Sequence, residues 1–274
     1  MLSLFSIICY YVNMPKIGVI GGSGLHDIPG LTIREHRKVT TPFGDPSDDY
    51  LIGEFSGKEI IFLPRHGLKH QIPPHKINYR ANIWGFKDLS AERILSVSSV
   101  GGITPELKPG MFIVPDQIVD MTRSRVSTFY DGNEVVHIDF TEPYCPELRE
   151  ALLRGGKKTG VELKKSGTYI CMDGPRLETG AEIKIILNMG IDVVGMTAMP
   201  EASLAREAEL CFAGVAIVTN YAAGITGKKL TATEVIEVMK EASKHLWDLL
   251  KETFHFIPSE RRCACKDALK DARM

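Results

Sequence analysis

The sequence has no excess of either charge sign: 33 Lys and Arg stand against 34 Asp and Glu, a net charge of −1. The strong basic field expected of a nucleic-acid binder is therefore missing, although a local basic patch stays open. Long hydrophobic runs are missing too. The longest, residues 1–12, falls well short of the roughly 20 apolar residues that cross a bilayer. It also lacks the basic flank and small-residue cleavage site of a secretory signal. These absences point away from membrane partners and toward a cytoplasmic protein. Met14 directly precedes a strand-like run, so residues 1–13 are expected to be a non-native start or an N-terminal extension.

Cysteines are few, six in 274 residues, and none sits in a paired CxxC knuckle, so no zinc site is expected. Cys145, Cys171 and Cys211 lie in apolar or mixed stretches and read as buried small hydrophobes. The tail differs, with Cys263-Ala264-Cys265 close enough for a strained disulfide or for pairing between chains; two free thiols is the simpler expectation. Repeats, low-complexity tracts and Pro/Ser-rich linkers are absent. One domain over residues 14–257, followed by a CxC tail over 258–274, is the default.

With 44% hydrophobic and 24% charged residues, 25 Gly and 15 Pro, the chain can bury a full-sized core. Short Val/Ile-rich runs alternate with amphipathic segments, the signature of an α/β domain. Strands are expected at 17–20, 51–54, 60–63, 94–100, 111–114, 167–172, 193–197 and 211–219. Helices are expected at 77–89, 146–159, 181–188, 200–209 and 232–254.

Several strand ends carry polar groups. Gly21-Gly22-Ser23-Gly24 offers backbone N–H groups that can approach an anion closely, but it is not the dinucleotide G-x-G-x-x-G, which disfavours a nicotinamide cofactor. Leu63-Pro64-Arg65-His66-Gly67 presents a permanent cation and an imidazole, which suit either a phosphate-like oxyanion or a structural salt bridge. Ser98, Ser99 and Thr197 put hydroxyls at strand C-termini, the edge where open α/β sheets bind ligands. Glu178 and Asn220 are either readers of a base edge or, taken singly, a helix cap and a solvated side chain.

The segments G-G-S-G, L-P-R-H-G, P-P-H-x-I-N-Y-R-A-N-I-W, T-F-Y-D-G, E-P-Y-C-P, D-G-P-R, G-M-T-x-x-P-E and V-T-N-Y-A-A-G follow one another in order over about residues 17–256. Together they resemble the trimeric nucleoside phosphorylases, in the branch of methylthioadenosine phosphorylase and its 6-oxopurine relatives. The resemblance implies a single α/β domain with a central mixed sheet flanked by helices. It implies phosphorolysis of a purine nucleoside, with inorganic phosphate as co-substrate and no metal or organic cofactor. Phosphate would be held by Ser23, Arg65, His66, Ser98, Ser99 and Thr197, with Met196 beneath the ribose. His137 matches a position that reaches a neighbouring subunit's sugar, which implies a homotrimer or a dimer of trimers. An oxocarbenium-like transition state fits such a layout, with an anion fixed on one side and the leaving purine neutralised at N7 by Asn220 on the other.

Relatives that cleave methylthioadenosine carry Asp-x-Asp and a small Ser where this chain has Asn220, Ala222 and Glu178. A 6-oxopurine is therefore expected as the base, since an ionised Glu178 can accept from its N1–H but would face the lone pair of adenine N1. Ala232, where relatives choose between a 5′-hydroxyl and a 5′-methylthio group, offers no hydrogen bond. Methylthioinosine, inosine and guanosine stay open. The alternatives are a methylthioadenosine phosphorylase and, more remotely, a nucleoside hydrolase or a purine-binding protein without turnover.

Overall fold

The computed structural model describes residues 16–22, 28–227 and 229–274. Cys9, Met14 and Ser23 lie outside the described residues. In chain order the elements are β1 (Lys16–Gly21), β2 (Thr32–Arg37), β3 (Tyr50–Phe55), β4 (Lys58–Pro64), α1 (Tyr79–Asp88), β5 (Ala91–Gly102), β6 (Phe112–Ile113) and β7 (Gln117–Asp120). There follow α2 (Pro146–Thr159), β8 (Leu163–Lys164), β9 (Thr168–Cys171), α3 (Gly180–Asn188), β10 (Val193–Gly195), α4 (Ala198–Glu207), β11 (Cys211–Tyr221) and α5 (Ala232–Phe256).

The strands form one mixed sheet in the order β2-β3-β4-β1-β5-β10-β9-β7, with β11 branching from β5 toward β6 and β8. Its centre is parallel: β1 pairs with β4 and β5, and β5 pairs with β11 in register from Arg93↔Cys211 to Val100↔Val218. These central strands are nearly continuous apolar runs because both faces are covered. One face packs α2 and α5 through Leu148, Leu152, Leu246, Leu250 and Phe254; the other packs α1 and α4 through Ile83, Phe86, Ala202 and Leu204. Three of the helices start where the sequence supplies side-chain caps. Thr179 and Glu182 form a reciprocal capping box at α3, Asn78 caps α1 and Thr231 caps α5.

The expected strands and helices are all present, within a few residues at their ends. Three strands were not expected. β2 is polar and mostly exposed, an edge strand with no apolar alternation, and β7 and β8 are too short to show a period.

The long α5 fixes the outer face. Phe254 is 1% exposed and meets Phe55 edge-on at 5.7 Å between centroids. Truncating it leaves a cavity in a packed core, so Phe254→Ala is expected to cost about 3 to 5 kcal/mol, read as a lowered denaturant midpoint. A loss below about 1 kcal/mol would mean that α5 does not anchor this face.

Candidate active site

The C-terminal ends of β1, β4, β5 and β11 lie together because these strands run parallel, and the end of β10 joins them beside β5. A cavity of ≈ 600 Å³ opens there, lined by Gly22, Arg65, His66, Ser98, Ser99, Glu178, Met196, Thr197, Asn220 and Ala222 among others. Nine of the sequence-expected site residues are therefore gathered in one place. Ser23 lies outside the described residues, and His137 and Ala232 do not line this cavity.

Arg65 and Glu201 form the buried centre of this edge. Arg65 is 1% exposed and Glu201 0%. Arg65 Nε donates to Glu201 Oε1 at 2.5 Å and Nη2 to Oε2 at 3.0 Å, while Ser96 Oγ accepts from Nη2 at 2.8 Å. Nη1 donates to the Val97 carbonyl at 2.8 Å. The fork that sequence reasoning assigned to phosphate is thus spent on Glu201, because a buried cation needs a partner of its own. Burial works against the Arg65 charge, and Glu201 more than offsets it. One Nη1 hydrogen remains for an anion. Nη1 lies 3.5 Å, and His66 Nε2 3.6 Å, from where a Cβ on Gly22 would sit, so the missing side chain keeps that approach open. Glu201 belongs to the G-M-T-x-x-P-E motif, and only its long-range pairing with Arg65 reveals its role.

His66 Nδ1 lies 2.8 Å from the Ile72 carbonyl, which can only accept, so the proton sits on Nδ1 and Nε2 carries a lone pair. Burial first, and the Arg65 charge second, lower its pKa from 6.5 to about 4. A neutral ring of this kind accepts a hydrogen bond from a protonated phosphate oxygen rather than supplying a positive charge.

The other end of the cavity holds Glu178 and Asn220. A register shift between Val218 and Asn220 inserts Thr219 as an extra residue opposite β5, and such a bulge re-aims side chains at a strand end. Asn220 Oδ1 accepts from Thr219 Oγ1 at 2.9 Å and Nδ2 donates to the Tyr221 carbonyl at 2.9 Å, which leaves one N–H and one lone pair for a ligand. Burial raises the Glu178 pKa, partly opposed by a backbone hydrogen bond. Met196 reaches the cavity because Gly174, at φ +65, has no Cβ where the Met196 sulfur packs.

Two positions differ from the sequence reading. Ala232 is exposed at the first turn of α5, and the longer Leu230 and Val235 on either side reach the cavity instead. His137 is exposed, and its backbone N–H donates to the Ala272 carbonyl at 2.8 Å, so the C-terminal tail pairs with the strip that carries it. Cys145, Cys171, Cys211, Cys263 and Cys265 are free and buried, in line with the sequence. No CxxC pair exists, yet the fold brings four thiols together, as described below.

A family model described as the phosphorylase superfamily matches residues 16–255. The chain belongs to that superfamily. Among relatives, a 6-oxopurine nucleoside phosphorylase of Pyrococcus furiosus is 53% identical over 266 residues, covering 94% of this chain and 99% of the relative. An S-methyl-5′-thioadenosine phosphorylase of Thermofilum pendens is 48% identical over 257 residues, covering 94% and 98%. Among solved structures, a methylthioadenosine phosphorylase from Schistosoma mansoni in complex with adenine superposes with a TM-score of 0.90 at 33% identity, covering 95% of this chain and 99% of that one. Among the described residues of this superfamily member, no helix is long and apolar enough to cross a membrane.

Two measurements follow from this geometry. Glu201→Ala strands a buried guanidinium and is expected to cost about 3 to 5 kcal/mol of stability, read by denaturant unfolding; a change under 1 kcal/mol would show that the pair is not desolvated. An unfolded chain takes up the His66 proton near 6.5 and the folded chain near 4, so between these values the unfolded state binds more protons. Stability is therefore expected to fall by roughly 3 kcal/mol as pH drops from 6.5 to 4 on account of this group, with no contribution above 6.5. Unfolding midpoints of wild type and His66→Gln across that range test it. Parallel slopes would contradict a neutral His66.

Proposed function

We propose that this chain catalyses the phosphorolysis of 6-oxopurine nucleosides, releasing the free purine and a sugar 1-phosphate. The observation that carries the reading is the joining of two chemistries in one cavity: anion donors, and a carboxylate with an amide. Phosphate would sit against Arg65 Nη1, His66 Nε2, Ser98, Ser99 and Thr197, with Ser23 expected beside them. The sugar would lie over Met196 between phosphate and base. As the glycosidic bond breaks, positive charge grows on C1′ beside the phosphate and negative charge on the purine, where Asn220 Nδ2–H stabilises N7. The relatives' names span both 6-oxopurine and methylthioadenosine substrates, so the choice of base rests on this chain's own residues.

Glu178 accepts from N1–H of a 6-oxopurine, and Ala222 leaves the base edge without the carboxylate expected for an adenine site. Presenting adenine to Glu178 pairs a carboxylate with a lone pair, a mismatch of about 1 to 3 kcal/mol or roughly tenfold to hundredfold in kcat/KM. Leu230 and Val235 give the wall near α5 an apolar character that suits a 5′-methylthio group as well as a hydroxymethyl, which favours methylthioinosine among the 6-oxo candidates. No metal or organic cofactor enters this chemistry.

Oligomerisation belongs to the same reading. Met121, Leu177, Ile185 and Met189 are 45%, 50%, 62% and 49% exposed, an apolar surface around α3 next to Glu178 that a second subunit would cover. A homotrimer, with His137 of one subunit completing a neighbour's sugar site, accounts for that surface and for the exposed His137.

The test is phosphate-dependent base release from inosine, guanosine, methylthioinosine and methylthioadenosine in parallel. The three 6-oxo compounds are expected to react, with methylthioadenosine slower by roughly tenfold or more. Glu178→Ser with Asn220→Asp is expected to narrow or reverse that gap. Methylthioadenosine as the best wild-type substrate would overturn the base assignment.

A further inference from the structure

At the end of β11 away from Asn220, Cys145, Cys211, Cys263 and Cys265 converge from three places: the residue before α2, the start of β11 and the C-terminal tail. Their four sulfurs all lie within 4.8 Å of one another and all four residues are buried. Cys263 Sγ is 3.4 Å from Cys211 Sγ and 3.7 Å from Cys145 Sγ. A tetrahedral zinc with Zn–S bonds of about 2.3 Å needs sulfur–sulfur edges of about 3.8 Å, so the spacing is that of a tetrathiolate cage. It is too tight for a multi-iron cluster.

The surroundings suit negative sulfur. Cys145 is the N-cap of the 14-residue α2, so its sulfur sits at the positive end of a helix without a side-chain cap bond. Arg93 is the ladder partner of Cys211, is 0% exposed, and its Nε is a buried donor with no hydrogen-bond partner. Arg261 and Arg262 immediately precede Cys263.

We propose that Cys145, Cys211, Cys263 and Cys265 form a structural site for one soft divalent cation of tetrahedral preference, zinc above all. On binding, the thiols give up their protons to solvent and four sulfur–metal bonds form, with no change of oxidation state. The site staples the tail to β11 and α2. Beyond it, Ala272, Arg273 and Met274 pair with residues 135–137, so the same staple holds the strip that carries His137.

The full-length protein, purified with reductant and without chelator, is expected to contain one zinc per chain by elemental analysis. Titration with p-hydroxymercuribenzoate releases that zinc. Metal-free reduced protein given Co²⁺ alone takes up one ion and shows the intense visible bands of a tetrahedral cobalt thiolate. Cys263→Ser with Cys265→Ser loses this signal, whereas Cys265→His, which keeps a ligand, binds one cobalt with altered bands. Failure of reduced wild type to take up either metal overturns the proposal. So does peptide mapping that finds these four residues joined in two disulfides in protein purified without added oxidant.

Discussion

The buried ion pair between Arg65 and Glu201 joins four elements at one point. Arg65 leaves the end of β4, bonds the Ile20 carbonyl near the end of β1 and the Val97 carbonyl in the middle of β5, takes Ser96 from β5, and is clamped by a carboxylate from α4. Such a pair adds little net stability, because desolvation consumes most of the attraction, but it tolerates few alternative arrangements. The ends of β1 and β4 and the middle of β5 are thereby fixed to α4, beside the donors that line the cavity. Burial lowers the His66 pKa most, and the Arg65 charge adds to it, so the ion pair bears on both the geometry and the protonation of the anion end.

The cavity is divided by chemistry as well as by distance. At the β1/β4 end the groups are a guanidinium, a neutral imidazole and hydroxyls; at the β11 end they are the Glu178 carboxylate and the Asn220 amide. Between them Met196 and the apolar Val194 offer no polar competition. A bulge at Thr219 and a glycine at 174 are local departures from regular backbone, and each serves a side chain at this site rather than the core. Regular secondary structure builds the platform, and irregular backbone aims the groups on it.

The central strands and the five helices were legible because their patterns are long and both sheet faces are buried. β2 was not, since the residues Thr-Ile-Arg-Glu-His-Arg carry the charges that an edge strand uses against solvent. Most of the site was legible as polar residues at strand ends, and the motif set gave it a chemical meaning. What the sequence hid depends on long-range approach. The partner of Arg65 lies 136 residues away, and nothing local separates a fork aimed at phosphate from one aimed at Glu201. The four cysteines come from positions up to 120 residues apart by number, from Cys145 to Cys265, and their singletons look like ordinary core residues until the fold gathers them. At α5, position along the chain points to Ala232, whereas side-chain length brings Leu230 and Val235 to the cavity.

The central claim is that one cavity holds phosphate and nucleoside together and transfers the sugar between them. The direct measurement is phosphorus NMR of a reaction with inosine and limiting inorganic phosphate. The account predicts that the phosphate resonance converts one for one into a sugar 1-phosphate as hypoxanthine appears, and that no base is released without phosphate. Free sugar accumulating while phosphate stays unconsumed would contradict it, because water rather than phosphate would then be the nucleophile.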